Sequence, residues 1–146
     1  MQSFMDAALE EAKKAEARGE VPIGAVVVRD GEILARAGNR TLELRDPTAH
    51  AEMLAIRAAA TAVSSERLVD CDLYVTLEPC PMCAAAASFA RIRRLYYGAA
   101  DPKGGAVESG VRYFADASCH HVPEIYGGIG ETESAAMLRD FFRAKR

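Results

Sequence analysis

Apolar residues along this chain switch between a helical spacing of three to four and short continuous runs, and each switch marks an element boundary. Ser3 and Asp6 fit a capping box, and Ala8, Ala12 and Ala15 then form a small-residue stripe among charged neighbours, ending at Gly19; this predicts a first helix. Pro22 to Val28 and Glu32 to Ala37 are apolar segments joined by Asp30-Gly31, the strongest short-range hairpin signal. Asp46-Pro47-Thr48 reads as a helix start, and the alanine-rich run to Val63 favours helix. That places His50 and Glu52 in the first turn. Asp72 to Leu77 predicts a short buried strand, and Cys80-Pro81 the cap and first residue of a helix reaching about Ala90. Arg93 to Gly98 is the next strand, residues 101–105 a loop, Val111 to Phe114 a short helical piece and His121 to Tyr126 a last strand. From Glu131, the spacing of Ala135, Leu138, Phe141 and Phe142 predicts a C-terminal helix. Strands interleaved with helices in this order predict an α/β fold, a mixed sheet with helices on both faces.

At 146 residues, half of them apolar, the chain has the size of one domain, and the absence of repeats or linkers makes 1–146 a single unit. Its longest apolar run, Met82 to Ala90, is too short to span a bilayer, and no signal peptide is evident. Four cysteines are too few for a disulfide framework, which suits a reducing cytoplasm and leaves the thiols available to a metal. The net charge of −3 disfavours an extended nucleic-acid surface. Its distribution leaves two local basic clusters, Arg91, Arg93, Arg94 with Lys103, and Arg139, Arg143, Lys145 with Arg146; these are either binding patches or ordinary solvated side chains.

Two motifs carry the chemistry: His50-Ala51-Glu52 and Pro79-Cys80-Pro81-Met82-Cys83. Residues two apart in mid-helix diverge by about 200°, but at a helix start both side chains can reach a point beyond the helix end. Cys80 and Cys83, at i and i+3, share a helix face. One imidazole and two thiolates supply three of the four ligands of tetrahedral zinc and leave room for a water, with Glu52 left over to move protons. Alone, the Cys-x-x-Cys pair would equally suit a redox dithiol; His50-x-Glu52 shifts the reading to zinc. A structural zinc site would need a fourth ligand from Cys71, Cys119, His120 or His121, none of which is paired in spacing with the first motif.

The pattern H-x-E followed by P-C-x-x-C resembles the zinc nucleobase deaminases of the cytidine deaminase-like superfamily. Asn39-Arg40, the run Asp46 to Glu52, the run Leu73 to Cys80, Asp101 to Gly105 and Asp140 to Arg143 look more narrowly like bacterial tRNA-specific adenosine deaminases. The resemblance implies a three-layer α/β/α cytidine deaminase-like fold with a mixed five-stranded sheet, one Zn2+ per chain, a homodimer, and conversion of adenosine to inosine at the wobble position of a tRNA anticodon loop. It makes His50, Cys80 and Cys83 the zinc ligands and Glu52 the acid/base. It also implies that Asn39 and the backbone of Ala51 hold the base, that Asp101 lies near a ribose, and that Lys103, Phe142 and Arg143, with Phe141, lie where loop nucleotides pass. Ala106 to Gly110 and His120-His121-Val122 depart from the family pattern. The alternatives are a deaminase of a free base or nucleoside (guanine, cytosine, cytidine), a noncatalytic zinc-containing RNA-binding module, and a dithiol oxidoreductase.

Overall fold

The computed structural model describes residues 3–145; Met1, Gln2 and Arg146, the last of the C-terminal basic cluster, lie outside the described residues. Helix α1 (Phe4–Ala17) opens on the expected capping box, Ser3 Oγ accepting the Asp6 N–H and the Asp6 carboxylate accepting the Ser3 N–H, both at 3.1 Å. It stops at Arg18, and Gly19 follows with φ +83°, the left-handed conformation that suits glycine after a helix.

Strands β1 (Gly24–Arg29) and β2 (Glu32–Gly38) form the predicted hairpin. Asp30 and Gly31 both have positive φ, as a two-residue primed turn requires. With β3 (Asp72–Leu77), β4 (Arg94–Ala99) and β5 (Glu124–Tyr126) they make a five-stranded sheet in the order β2-β1-β3-β4-β5. Strand β1 is antiparallel to both neighbours, whereas β3, β4 and β5 run parallel. The sheet is mixed, as expected.

Alternation along β1 divides the two faces. Ala25 and Val27 join the main core with Ala55 and Ala59 of α2 (Ala51–Val63) and Ala84 and Ala87 of α3 (Pro81–Phe89). Val26 and Val28 face α1 through Ala7, while Met5 and Leu9 pack with Tyr74, Tyr96 and Met137 of α4 (Glu131–Ala144). These are the three layers of the α/β/α expectation. The alanine stripe of α1 is fully buried because the helix lies almost on the sheet: a methyl built on Gly24 would sit 2.0 Å from the Ala8 carbonyl oxygen and 2.5 Å from the Ala12 nitrogen. Both obstacles are backbone and cannot rotate away. Gly24→Ala should cost about 3 kcal/mol, the upper range for overpacking, read in calorimetry as a thermal midpoint lower by roughly 10 °C.

Several boundaries differ from the sequence expectation. The Asp46 carboxylate accepts from the Thr48 N–H at 2.8 Å and hydroxyl at 2.7 Å, closing a local turn instead of a helix cap. His50 stays extended (φ −73°, ψ 152°) and α2 begins at Ala51, so His50 is the residue before the first turn. The first strand starts at Gly24, after Pro22, and the last shrinks to three residues after Pro123; proline lacks the N–H a ladder needs. The short helical piece is a 3-10 turn at Tyr113–Ala115.

Candidate active site

Strands β3 and β4 run parallel and deliver their chain ends to one edge of the sheet, the usual position of ligand sites in such folds. From β3 the chain passes through Glu78 and Pro79 to Cys80, the N-cap of α3, with Pro81 in its first turn and Cys83 at its third position. Proline suits that position because its missing N–H would have no helical partner. His50 holds the N-cap of α2. Two helix N-termini therefore meet.

His50 Nδ1 lies 3.6 Å from Cys80 Sγ and 3.5 Å from Cys83 Sγ, and the three donor atoms all fall within 4.8 Å of one another. Tetrahedral zinc, with Zn–N near 2.0 Å and Zn–S near 2.3 Å, sets nitrogen–sulfur edges of about 3.5 Å. Geometry and donor set both fit zinc. Among the described residues no fourth donor joins the cluster. Cys71 Sγ is directed at the Val69 carbonyl, Cys119 at the His121 carbonyl, and the His121 ring at the Ile92 carbonyl.

The three donors also shift one another's proton affinities. The Cys83 thiol hydrogen-bonds Cys80 and, with His50, pulls the Cys80 thiol down to about 4 against the effect of burial. The same bond to Cys80, with burial, pushes Cys83 up, and the Cys80 partner raises His50. Glu52, the second residue of α2, is 4% exposed. Burial pushes its carboxyl up to about 7, and Cys80, His50 and Cys83 all act on it. It therefore faces the cluster without belonging to the donor set.

The rim residues expected to touch substrate are distributed unevenly. The Arg40 N–H donates to the Ala49 carbonyl at 3.0 Å, which brings Asn39 alongside the start of the His50 motif. Asn39 is buried and its Nδ2 donates to Thr41 Oγ1 at 3.4 Å. Ala51 leads α2, where a backbone N–H has no helical acceptor. Asp101 and Lys103 follow β4 at the same edge of the sheet, Asp101 Oδ1 accepting from the N–H groups of Lys103 (3.2 Å) and Gly104 (3.0 Å). Phe142 and Arg143 are exposed near the end of α4, Phe142 packing edge-on against Phe141 with ring centres 5.3 Å apart. No hydrogen bond or ion pair among the described residues joins them to the metal cluster.

For the basic cluster at Arg91, Arg93 and Arg94, the topology favours the reading as ordinary surface side chains. Arg94 pairs in register with Asp72 at the opposite end of β3 and β4, so a six-residue strand, about 20 Å long, separates this patch from the cluster. Its charge is also committed: Arg93 chelates Asp72 at 3.0 and 3.2 Å, Arg94 meets Glu124 at 3.3 Å, and Arg91 donates to the Ser88 carbonyl. Sequence reasoning in turn missed two buried carboxylates at the rim. Glu20 accepts from the N–H groups of Leu42 and Glu43 at 3.2 and 2.8 Å. Burial alone would raise the Glu78 carboxyl, but donors from Asp101, Ser109 and Glu108 outweigh it and hold it below the usual range. The available signal was an acidic residue between a buried strand and a ligand cysteine.

Fold and donor set together define a zinc-binding deaminase, and the chain belongs to that family: the profile of the cytidine and deoxycytidylate deaminase zinc-binding region matches residues 1–99. The tRNA-specific adenosine deaminase of Agrobacterium fabrum is 66% identical over 143 residues, spanning 98% of this chain and 94% of that protein. A solved structure from a study of A-to-I editing by tRNA:A34 deaminases at the wobble position of transfer RNA superposes with a TM-score of 0.91 at 66% identity, covering 92% of this chain and 98% of the other. A guanine deaminase structure from Bacillus subtilis is 32% identical with a TM-score of 0.66, covering 98% and 95% of the two chains.

Proposed function

We propose that this protein is a zinc-dependent hydrolase that converts adenosine to inosine at the wobble position of a tRNA anticodon. The observation that carries the chemistry is a three-donor cluster with a buried carboxyl beside it and, among the described residues, no fourth protein donor. The substrate is argued from 66% identity along almost the whole of a tRNA-specific adenosine deaminase. His50, Cys80 and Cys83 hold the metal. Zinc bound there supplies a Lewis acid that makes a water nucleophilic at neutral pH.

The chain's own groups do the rest. Glu52 accepts a proton from the attacking water and passes it to N1 of the adenine ring, which makes C6 electrophilic. The same carboxyl then takes the proton of the hydroxyl now on C6 and delivers it to the departing amine as the C6–N6 bond breaks and the carbonyl forms, so water and adenosine become inosine and ammonia. Its burial keeps the proton from bulk solvent. Asn39 Oδ1 and the Ala51 N–H hold the base edge, and Asp101 faces the ribose with its second carboxylate oxygen. Lys103, Phe142 and Arg143 contact the loop nucleotides, the cations meeting phosphates and the ring offering a stacking face. Residues 1–146 act as one domain, in a homodimer, in the cytoplasm, where tRNA is found and free thiols persist. No helix among the described residues is long and apolar enough to cross a membrane.

The guanine deaminase likeness motivates a second reading, deamination of a free base. Zinc-loaded protein incubated with an anticodon stem-loop carrying adenosine at the wobble position, beside guanine, cytosine and cytidine, separates the two by mass spectrometry of the products. Inosine in the stem-loop is the expected result. Turnover of a free base with the stem-loop untouched would replace the tRNA reading.

A further inference from the structure

We infer that Glu78 is a positioning residue whose buried carboxylate shapes the 101–109 loop into the RNA-facing rim of the site. The inference rests on the tRNA deaminase reading for its functional consequence, and on geometry for the rest. Glu78 is 2% exposed and has no cation within ion-pair distance among the described residues. Burying an isolated carboxylate is costly unless hydrogen bonds replace its hydration. Here five donors do so. Oε1 accepts from the Asp101 N–H and the Ser109 hydroxyl, both at 2.9 Å; Oε2 accepts from the N–H groups of Val107 (3.0 Å), Glu108 (2.9 Å) and Ser109 (2.9 Å).

Successive backbone N–H groups converging on one point form an anion-binding nest. In this nest the anion is the chain's own side chain. The loop has no strand or helix to fix it between β4 and the 3-10 turn at Tyr113, so the carboxylate serves as its core. Gly105 shows how closely the loop wraps: a methyl there would lie 2.5 Å from the Glu78 carboxyl carbon and 2.6 Å from the Asp101 carbonyl oxygen. The neighbouring Pro79 carbonyl accepts the Ala106 N–H at 2.8 Å. One short stretch, 78–80, thus both delivers a metal donor and carries the rim.

Four of the five donors are backbone groups, so the nest does not depend on which side chains occupy 106–108. That accounts for how Ala106 to Glu108 can depart from the family pattern while Asp101 keeps its place. Glu20 repeats the device in a second loop, holding the N–H groups of Leu42 and Glu43, a few residues after Asn39 in sequence.

The test compares full-length, zinc-loaded wild type with Glu78→Gln and Ser109→Ala. Glutamine keeps the size but presents an amide NH2 to the N–H donors, and Ser109→Ala removes one donor of five. Hydrogen exchange of the 101–109 backbone should accelerate about tenfold in Glu78→Gln and about threefold in Ser109→Ala, the range expected for lost hydrogen bonds to a charged group. Zinc content should stay at wild-type level, and KM for the anticodon stem-loop should rise by similar factors with kcat within about threefold. Unchanged exchange, loss of zinc, or a fall in kcat at constant KM overturns the proposal. If Glu78→Gln does not fold, Ser109→Ala decides alone by the same criteria. Wild type inactive on the stem-loop overturns the substrate reading instead, and the exchange measurement still decides whether Glu78 holds the loop.

Discussion

Glu52→Ala is expected to lower deamination about 10²- to 10⁴-fold, the contribution typical of a positioned acid/base, while leaving zinc bound. The division follows from geometry. His50, Cys80 and Cys83 form the donor group by themselves, and Glu52 lies one helical position beyond Ala51 with its carboxyl facing them. Folding should survive the substitution. Alanine is the best helix former, and removing a carboxyl that burial already disfavours relieves a desolvation penalty. Glu52→Gln keeps the volume and should lose as much activity, because an amide cannot carry the proton between water, ring and amine. Single-turnover rates on the stem-loop, paired with zinc content, check this. Loss of metal with activity would make Glu52 a ligand, and near wild-type rates would remove it from the mechanism.

What could be read from the sequence was written in local chemistry. Ser3 with Asp6 by reciprocal hydrogen bonds, Asp30-Gly31 by positive φ and Cys80-Pro81 by the proline's fixed backbone each set a cap or turn within a few residues, and the structure places all three as expected. The metal donors were legible for the same reason, since each motif sits at a helix start. His50 falls just outside the helix because Asp46 closes a turn on Thr48 before the helix begins, a competition between two local uses of one carboxylate. The place of Arg91, Arg93 and Arg94 relative to the site was left open for a different reason: which end of a strand faces the site follows from the parallel pairing of β3 with β4, a long-range fact. Glu78 escaped notice because its partners lie 23 to 31 residues away and are almost all backbone groups, which leave no pattern of residue types.

The other large effect concerns the metal itself. Cys83→Ala should abolish zinc binding and reduce deamination to background. Cys83 is fully buried at the third position of α3, and without it His50 and Cys80 remain as two donors 3.6 Å apart, too few to enclose a tetrahedral ion. A ligand present at a thousand times its dissociation constant stabilises the folded state by about 4 kcal/mol. Wild type should therefore melt at a higher temperature with zinc than after chelation. The variant should melt at one temperature under both conditions. Cys71→Ala supplies the comparison: Cys71 is equally buried, but its thiol is directed at the Val69 carbonyl and belongs to no donor group. It should keep the zinc-dependent shift and the activity, although a small cavity costs some stability. Loss of the shift in Cys71→Ala, or its persistence in Cys83→Ala, would mean that the metal is held by a different set of donors.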